Sequence, residues 1–382
     1  MVRIASFNVE NLFARPKAFA PSDWSQGAPA INAYHRVNKL FAKANYSTQD
    51  KAEIMQHLLE LDIYSKNSSG AIRRKYSRSP KWAWLRKNRG SFDKQPSDSS
   101  KDVEIIATGR DSWIGWVELA IEATNELSTR LTAKVIREVD ADIIGIVEAE
   151  DRPSLVRFND ELLGGMYEHV MIVDGNDTRG IDVGIMTKAG FTIESIKSNI
   201  DTKDATGIVF SRDCPQYTIR TPSHQQIHVL VNHFKSQSGG GGSKRQRQTA
   251  EVARIVDGLV SSGKRVVVCG DLNEGPPAEG SLPTNLAGLF NDPGRLLDCF
   301  SLSSFQTGVR PGTYDSCGIR NRLDYMLISP NLQSSFINGE IFRKGLWGKR
   351  KTRPTNWVTY PEMTKSIEQA SDHAAVFIDL NI

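Results

Sequence analysis

The sequence predicts a mixed α/β (α+β) protein built on one mixed sheet or on a pair of sheets. In the middle of the chain, short apolar runs alternate with segments of helical periodicity, as in strand–helix–strand units. Towards both ends, strand candidates follow one another in a meander-like pattern. They are spread over all 382 residues without an internal repeat. A chain of this length allows two domains or one large domain with an insertion.

The first part of the chain contains one strand and a long irregular segment. The strand is expected at Ile4–Val9, where apolar residues dominate. Residues 14–113 show little regular pattern, apart from one helix expected at about Thr48–Leu61, whose apolar residues fall on one face. Around residues 66–89 the segment is basic and aromatic. We interpret residues 14–113 as an insertion after the first strand.

Regular patterns return after Ser128. A helix begins near that residue, and another is expected at about Gln246–Leu259. The strand candidates of this region are short apolar runs bounded by turn residues. They lie at Asp142–Val147, Val170–Val173, Val183–Met186, His228–Val231, Val266–Cys269, Leu323–Ile328 and Ala374–Leu380.

Composition narrows the class of protein only a little. The formal net charge of +4 says little about partners. No CxxC pair or zinc-like spacing with histidine is present, so we expect four reduced thiols. Residues 1–7 already resemble a strand, and no stretch approaches the ~20 apolar residues of a membrane span. We therefore expect a cytoplasmic protein. The cysteines are Cys214, Cys269, Cys299 and Cys317.

Polar side chains cluster at the ends of the apolar strands; most come directly after a strand, whereas Asp372 and His373 precede one. A strand end holds a side chain rigidly at the rim of a sheet, which suits a precise site. One such residue alone is explained by turn formation, since Asp and Asn close turns by bonding their own backbone. Six strand ends with acid, amide and imidazole chemistry are not explained in this way. The residues are Asn8, Glu10, Glu148, Asn232, His233, Asp271, Asn273, Asp324, Asp372 and His373.

These side chains together suit hydrolysis of a phosphate ester. Carboxylates with amides are the donors that hard cations such as Mg²⁺ or Mn²⁺ prefer. A histidine beside an aspartate suits proton transfer near neutral pH. A metal would neutralise developing charge, and the imidazole would support the transition state of attack by an activated water.

Six short motifs, in their order along the chain, resemble those of the endonuclease/exonuclease/phosphatase superfamily. That superfamily includes deoxyribonuclease I, exonuclease III, sphingomyelinases and inositol polyphosphate phosphatases. The resemblance spans residues 1–13 and about 128–382. It implies a single domain over residues 1–382, folded as a four-layer αββα sandwich of two mixed β-sheets flanked by helices, with the site at one edge. The motifs are Ser-Phe-Asn8-Val-Glu-Asn, Ile-Val-Glu148, Val-Asn232-His233-Phe-Lys, Gly-Asp271-Leu-Asn273, Arg-Leu-Asp324-Tyr and Ser-Asp372-His373.

The resemblance also implies a metal site. Glu148 would be the main ligand of Mg²⁺ or Mn²⁺, supported by Asn8 and Glu10. Asp372 would lie next to the metal.

Catalytic roles follow from the same resemblance. His373 would be the catalytic imidazole, polarised by Asp324. Asp271 and Asn273 would orient the water and the phosphate. His233 would be a second imidazole on the scissile phosphate, which resembles the deoxyribonuclease I branch more than the exonuclease III branch.

Two further segments are similar to bacterial nucleases of this superfamily and imply substrate contacts. In Arg179-Gly-Ile-Asp182, the arginine would contact a phosphate with a geometry that lysine does not duplicate. In Asn232-His233-Phe-Lys235, the asparagine and the lysine would bind substrate. A solvated loop explains Arg179 equally well.

Three basic segments bear on the substrate. Basic residues mixed with Trp and Tyr suit a nucleic-acid strand, because cations meet phosphates and rings stack on bases. They also suit an anionic membrane surface. The first segment is not a clean amphipathic helix, which slightly favours nucleic acid. It comprises Lys66, Arg73, Arg74, Lys75, Arg78, Lys81, Arg86, Lys87 and Arg89, with Tyr76, Trp82 and Trp84. The others are Arg343, Lys344, Lys349, Arg350, Lys351 and Arg353, and then Lys244, Arg245 and Arg247.

We therefore expect a metal-dependent phosphodiesterase that hydrolyses nucleic acid, DNA before RNA, as an endonuclease. The alternative is a phosphatase or phospholipase-type enzyme acting on phosphoinositides or sphingomyelin-like lipids at a membrane. A third hypothesis is a nucleic-acid-binding scaffold without activity, against which the complete motif set argues. The sequence does not set an oligomeric state.

Overall fold

The computed structural model describes residues 1–10, 12, 14–19, 24–123, 126–177, 180–237, 241–291, 295–348 and 356–382. The chain divides into two compact units. The larger comprises Met1–Phe13 and Thr124–Ile382, and the smaller comprises Ala14–Ala123.

Two mixed β-sheets form the centre of the larger unit. Within the described residues, the first sheet has seven strands in the order β3-β4-β2-β1-β13-β12-β10, and the second has six in the order β5-β6-β7-β8-β11-β9. In chain order the strands are β1 (Val2–Asn8), β2 (Ile143–Ala149), β3 (His169–Val173), β4 (Asp182–Thr187), β5 (Thr192–Lys197), β6 (Gln216–Arg220), β7 (Gln226–His233), β8 (Val266–Asp271), β9 (Leu297–Asp298), β10 (Phe305–Gln306), β11 (Asp324–Ile328), β12 (Phe336–Phe342) and β13 (Ala375–Leu380). A short hairpin of Lys203–Asp204 and Gly207–Ile208 lies outside both sheets.

The helices of the larger unit include two that precede the second strand of a parallel pair. They are α1 (Glu126–Val139), α2 (Arg152–Leu162), α3 (Gly242–Ser261) and α4 (Ala287–Phe290). β1 is parallel to β2, and β7 is parallel to β8. Parallel neighbours need a crossover connection, and α1 and α3 lie in these two connections. The remaining neighbours of β1 and β8, which are β13 and β11, are antiparallel to them.

Three apolar cores give the larger unit its four layers. The central core lies between the sheets, where Ile4 and Val183 of the first sheet pack with Val231 and Met326 of the second. A second core joins α1 and α2 to the outer face of the first sheet. A third joins α3 and α4 to the outer face of the second. Both faces of each sheet are therefore buried, which explains why the central strands are almost continuously apolar. The predicted αββα sandwich is confirmed.

The smaller unit has its own core and is more regular than its sequence pattern suggests. Trp113 is fully buried there, with its ring 4.8 Å from Phe41 in an edge-to-face contact. Its helices are Trp24–Phe41 and Thr48–Glu60, with a short 3₁₀ turn at Lys17–Phe19. Its paired strands are Ala14–Pro16 with Ile121–Ala123, Tyr64–Lys66 with Ile72–Arg74, Ala83–Gly90 with Trp113–Leu119, and Asp93–Lys94 with Glu104–Ile105. The interpretation of residues 14–113 as an insertion stays a prediction.

The strands and helices predicted from periodicity are present, with ends that shift by a few residues. The elements that were not predicted are mostly edge strands or short helices. β5, for example, is largely exposed and polar, and α2 buries only Leu155, Phe158 and Asn159. The four cysteines are free and buried. Within the described part of the chain, no helix is both long and apolar enough to cross a membrane.

Candidate active site

The strand ends that carry the predicted residues meet where the two sheets pack face to face. β1 ends at Asn8 and β7 at His233, and each has a parallel neighbour that ends at the same edge of its sheet. In the second sheet, His233 lies opposite Asp271, and Asp271 lies opposite Asp324. Between the sheets, Asn8 Nδ2 lies 3.4 Å from Asp271 Oδ2. One edge of the sandwich therefore gathers side chains from both sheets.

A β-bulge turns Glu148 towards this edge. In β2, Ile146 packs on the helix side and Val147 between the sheets, so strict alternation would point Glu148 at the helices. Instead, the ladder with β4 shifts register between Val147 and Ala149, and Glu148 has a left-handed φ of 66°. The extra residue directs the carboxylate inward. Its Oε1 lies 3.5 Å from His233 Nε2.

Two imidazoles flank the carboxylate of Asp271. His233 Nε2 lies 3.7 Å and His373 Nε2 lies 3.8 Å from Asp271 Oδ2. Asn273 holds this carboxylate, because its backbone N–H donates to Oδ1 at 2.8 Å and its Nδ2 donates to Oδ2 at 3.2 Å. The same Nδ2 donates to the carbonyl of Phe234 at 3.1 Å. The amide nitrogen of Asn273 is thus used to position Asp271.

His373 and Asp324 form a buried hydrogen-bonded pair. His373 Nδ1 lies 2.7 Å from Asp324 Oδ2. The hydroxyl of Thr313 donates to the same oxygen at 2.6 Å and accepts the backbone N–H of Asp324 at 3.1 Å. A partner that is itself held in this way fixes the imidazole ring. Nε2 is then the atom that faces Asp271.

Burial and neighbouring charges shift the pKa of His373 in opposite directions. Burial lowers the pKa of His373, but the carboxylates of Asp324 and Asp271 more than offset this effect and hold the pKa well above its ordinary range. Burial raises the pKa of Asp271, with His373 opposing the rise and Asp324 and Glu148 adding to it. His373 therefore favours its protonated form in this centre.

The loop before β13 is fastened to the end of β1. Glu10 has a left-handed φ of 48°, and its Oε2 accepts the backbone N–H of Asp372 at 3.0 Å. The hydroxyl of Ser371 donates to the carbonyl of Asn8 at 2.7 Å and accepts the N–H of His373 at 3.0 Å. These bonds hold His373 beside β1. One oxygen of Glu10, which was predicted to support the metal, is used in this contact.

The donor chemistry at the centre fits a divalent cation. Glu148 and Asn8 offer a carboxylate and an amide oxygen, which Mg²⁺ and Mn²⁺ prefer. Repulsion from Glu148 contributes to the raised pKa of Asp271, and a cation would relieve it. No group of three or more His, Cys, Asp or Glu side chains in the described ranges is arranged as a cation cluster. The parts predicted for Glu10 and Asp372 stay predictions.

Asn232 and Lys235 are neighbours of His233 in sequence, but their side chains lie in different surroundings. β7 alternates, so His233 faces the other sheet while Asn232 faces the helices, fully buried. Its Nδ2 donates to the carbonyl of Leu230 at 3.2 Å, and its side chain contacts the Cys214 thiol. The structure therefore does not bring Asn232 to the centre. Lys235 lies just beyond β7 and is half-buried.

The other predicted substrate-binding residues are Arg179 and Asp182. Asp182 begins β4 opposite Ala149, next to Glu148. Its Oδ1, however, accepts the backbone N–H of Gly175 at 2.7 Å. The carboxyl of Asp182 is poorly solvated, and this burial raises its pKa to about 6. Arg179 lies outside the described residues.

A buried arginine near the centre was missed by the sequence analysis. Arg212 is 2% exposed, and its Nε lies 3.0 Å from Asp177 Oδ2. Its Nη1 is 3.4 Å from the carbonyl of Phe234, the carbonyl that also accepts from Asn273. Nothing in the local pattern marks this residue, since arginine is normally exposed. Thr313 was missed as well, although the motif Gly-Thr-Tyr, a few residues before Arg-Leu-Asp324, could have indicated it.

In two of the three basic segments, the cations that the structure describes are engaged within the protein. Arg245 is buried and pairs with Glu274 at 2.8 Å, and Arg247 pairs with Asp204. In the other segment, Arg343 is buried against backbone carbonyls, while Lys344 pairs with Glu138. Lys349, Arg350, Lys351 and Arg353 lie outside the described residues.

Comparisons with known proteins give one family match and several similar solved structures. The model of the "Endonuclease/Exonuclease/phosphatase family" matches residues 89–381. No curated protein matches the chain. Solved structures similar to it include a mannosyl-6-phosphatase from Bacteroides thetaiotaomicron, with 16% identity and a TM-score of 0.49 over 66% of this chain and 91% of that one. The human nocturnin catalytic domain has 17% identity and a TM-score of 0.48 over 68% and 88%. Beta toxin from Staphylococcus aureus has 16% identity and a TM-score of 0.45 over 66% and 91%.

The family match decides the affiliation, because it extends over most of the chain and over the strand ends from Glu148 to His373. Members of this family are hydrolases and generally use divalent metal ions. The chain belongs to the endonuclease/exonuclease/phosphatase family.

Proposed function

We propose that this protein is a divalent-metal-dependent phosphodiesterase whose substrate is nucleic acid. The observation that carries the proposal is the convergence of two imidazoles on one buried carboxylate. His233 Nε2 and His373 Nε2 lie 3.7 and 3.8 Å from Asp271 Oδ2, and Glu148 Oε1 lies 3.5 Å from His233 Nε2. A structural ion pair requires one histidine, whereas attack on a phosphate and departure of an oxygen each involve a proton.

The side chains divide the work of hydrolysis as follows. Asp324 holds His373 so that Nε2 can donate a proton to the departing oxygen or stabilise charge on the phosphate. Asp271, held by Asn273, orients the attacking water. A cation bound by Glu148 and Asn8 would supply positive charge against the charge that develops on the phosphate. His233, between Glu148 and Asp271, contacts the scissile phosphate from the other side.

The choice of nucleic acid as substrate rests on charge outside this centre. The smaller unit carries nine basic residues and no acid between residues 66 and 89. A polyanion with exposed bases suits such a segment, because phosphates meet cations and bases meet rings. A sugar phosphate or another small phosphate ester would need only the centre itself.

The test is an activity panel on the full chain. Plasmid, single-stranded DNA, RNA and sphingomyelin vesicles are incubated with Mg²⁺ or Mn²⁺ and with chelator. Asp324→Asn serves as the control for contaminating nuclease, because it removes the negative charge beside His373 and nearly keeps the shape of the side chain. We expect metal-dependent cleavage of nucleic acid that the variant lacks. Cleavage of lipid with no cleavage of nucleic acid would refute the proposal in favour of a membrane phosphodiesterase.

A further inference from the structure

The smaller unit contains two adjoining clefts that share walls. One has a volume of about 330 Å³ and the other about 300 Å³. Both are lined by Arg74, Tyr76 and Leu85. Tyr76 lines both clefts and is 78% exposed, so most of its surface is open.

Several cations around the clefts are already engaged. Arg74 pairs with Asp93 at 3.2 Å, and Lys75 pairs with Asp62 at 2.7 Å. Arg86 pairs with Glu118 at 2.7 Å. Arg73 donates to three backbone carbonyls, including that of Pro96 at 2.9 Å. These bonds hold the segment in place, and they leave these four side chains poorly suited to act as free phosphate contacts.

Two cations remain available at the clefts. Arg78 lines the first cleft and Lys87 the second, and both are exposed. Among the residues that the structure describes, neither is paired with a carboxylate. Each cleft thus has one available cation and shares one aromatic ring with the other. Arg74 lies 5.2 Å from the Tyr76 ring centroid and steadies that ring by a cation–π contact.

We propose that these clefts bind two consecutive nucleotides of an unpaired nucleic-acid strand, with a base stacked on Tyr76 and phosphates on Arg78 and Lys87. An unpaired base has a free face for a ring, whereas a paired base shows only its edges in the grooves. A flat bilayer cannot enter a concave cleft, so the geometry favours a strand over a membrane. The inference deepens the proposed function, because it specifies the form of the nucleic acid, but its test is binding rather than hydrolysis.

The experiment measures fluorescence anisotropy of a short labelled oligothymidylate with the full chain, in chelator so that nothing is cleaved. Tyr76→Ala is expected to weaken binding at least roughly five-fold, since one stacked base contributes that much or more. Tyr76→Phe keeps the ring and should bind like wild type. The side chain is exposed, so neither variant is expected to change the melting temperature.

Salt dependence tests the phosphate contacts. The double variant Arg78→Ala/Lys87→Ala should flatten the log–log salt slope by up to about 1.4, because each phosphate contact on a single strand contributes roughly 0.7. The matched control is Lys66→Ala/Arg110→Ala. It removes the same charge from exposed residues that line neither cleft, and its slope should equal that of wild type.

Three results would overturn the inference. They are tighter binding of a duplex of the same length, no effect of Tyr76→Ala, or loss of binding to phosphatidylserine vesicles in the same variants with oligonucleotide binding retained. A small chromogenic phosphodiester separates this failure from failure of the proposed function. If the ester is cleaved but the variants bind the oligonucleotide normally, the proposed strand-binding role of the clefts is refuted and the proposed phosphodiesterase activity is retained. If the variants bind as expected but neither the ester nor nucleic acid is cleaved, the proposed activity is refuted and the strand-binding role of the clefts is retained.

Discussion

Replacing Asp182 by asparagine should stabilise the protein at neutral pH. Asp182 is 5% exposed, and burial raises its pKa from an ordinary 3.8 to about 6. The folded protein therefore binds a proton at this position more tightly than the unfolded chain. The stability that this contributes is complete below about pH 4 and is lost as the pH rises through about 6. Asparagine cannot ionise, and its Oδ1 can still accept the N–H of Gly175.

The size of the effect follows from the shift in pKa. At about 1.4 kcal/mol per pKa unit, ionising the buried carboxyl costs up to about 3 kcal/mol by pH 7. The free energy of unfolding is measured by urea denaturation of wild type and Asp182→Asn between about pH 4 and 7. Because other carboxyls also titrate, the quantity of interest is the difference between the two proteins. This difference should grow in favour of the variant as the pH rises.

An exposed aspartate provides the matched control. Asp160 lies on the outer surface of α2, and Asp160→Asn should follow the wild-type curve at every pH. A difference for Asp182→Asn that stays flat with pH would refute the reasoning. A variant that is less stable at pH 7 would show that the carboxylate is ionised and paired, as the predicted substrate role beside Arg179 would require.

Three further predictions concern the centre. Mn²⁺ at a hundred times its Kd should raise the free energy of unfolding of wild type by about 2.7 kcal/mol. Glu148→Gln should lose this stabilisation, whereas the exposed control Glu168→Gln should keep it. Unchanged Mn²⁺ binding by Glu148→Gln in calorimetry would show that the metal ligands are misassigned. His373→Ala should lower turnover by orders of magnitude and leave nucleic-acid binding nearly intact, because its action lies in the transition state; an equal fall in both would make it a binding residue. Thr313→Val should cost about 2 kcal/mol or more of unfolding free energy and change the pH profile of kcat, since a buried charge-assisted bond to Asp324 is lost, whereas Thr313→Ser keeps the hydroxyl and should keep the profile. A valine variant with wild-type kinetics would leave Thr313 a purely structural residue.

Much of the larger unit was predictable because its signals are local. Strands buried on both faces must be continuous apolar runs, and parallel neighbours must be joined by helices. Once the runs were recognised, the polar residues at their ends marked one edge of the sandwich. Asn8, His233, Asp271 and Asp324 lie together there because each ends or begins a strand in the middle of its sheet. The resemblance to a family supplied the order of layers, which periodicity left open between one sheet and two.

The tertiary structure decided the direction and the partners of individual side chains. Alternation alone would point Glu148 at the helices, and only the bulge opposite β4 turns it to His233. Adjacent positions in β7 face opposite layers, which separates Asn232 from His233 although the motif joins them. A basic segment likewise does not tell which cations are paired, because Asp93 and Glu118 reach Arg74 and Arg86 from distant positions in the chain. By itself the sequence determined which residue types lie at the strand ends, because that depends on the local pattern. Which of these residues face one another depends on bulges and long-range strand pairing, and only the folded chain sets these.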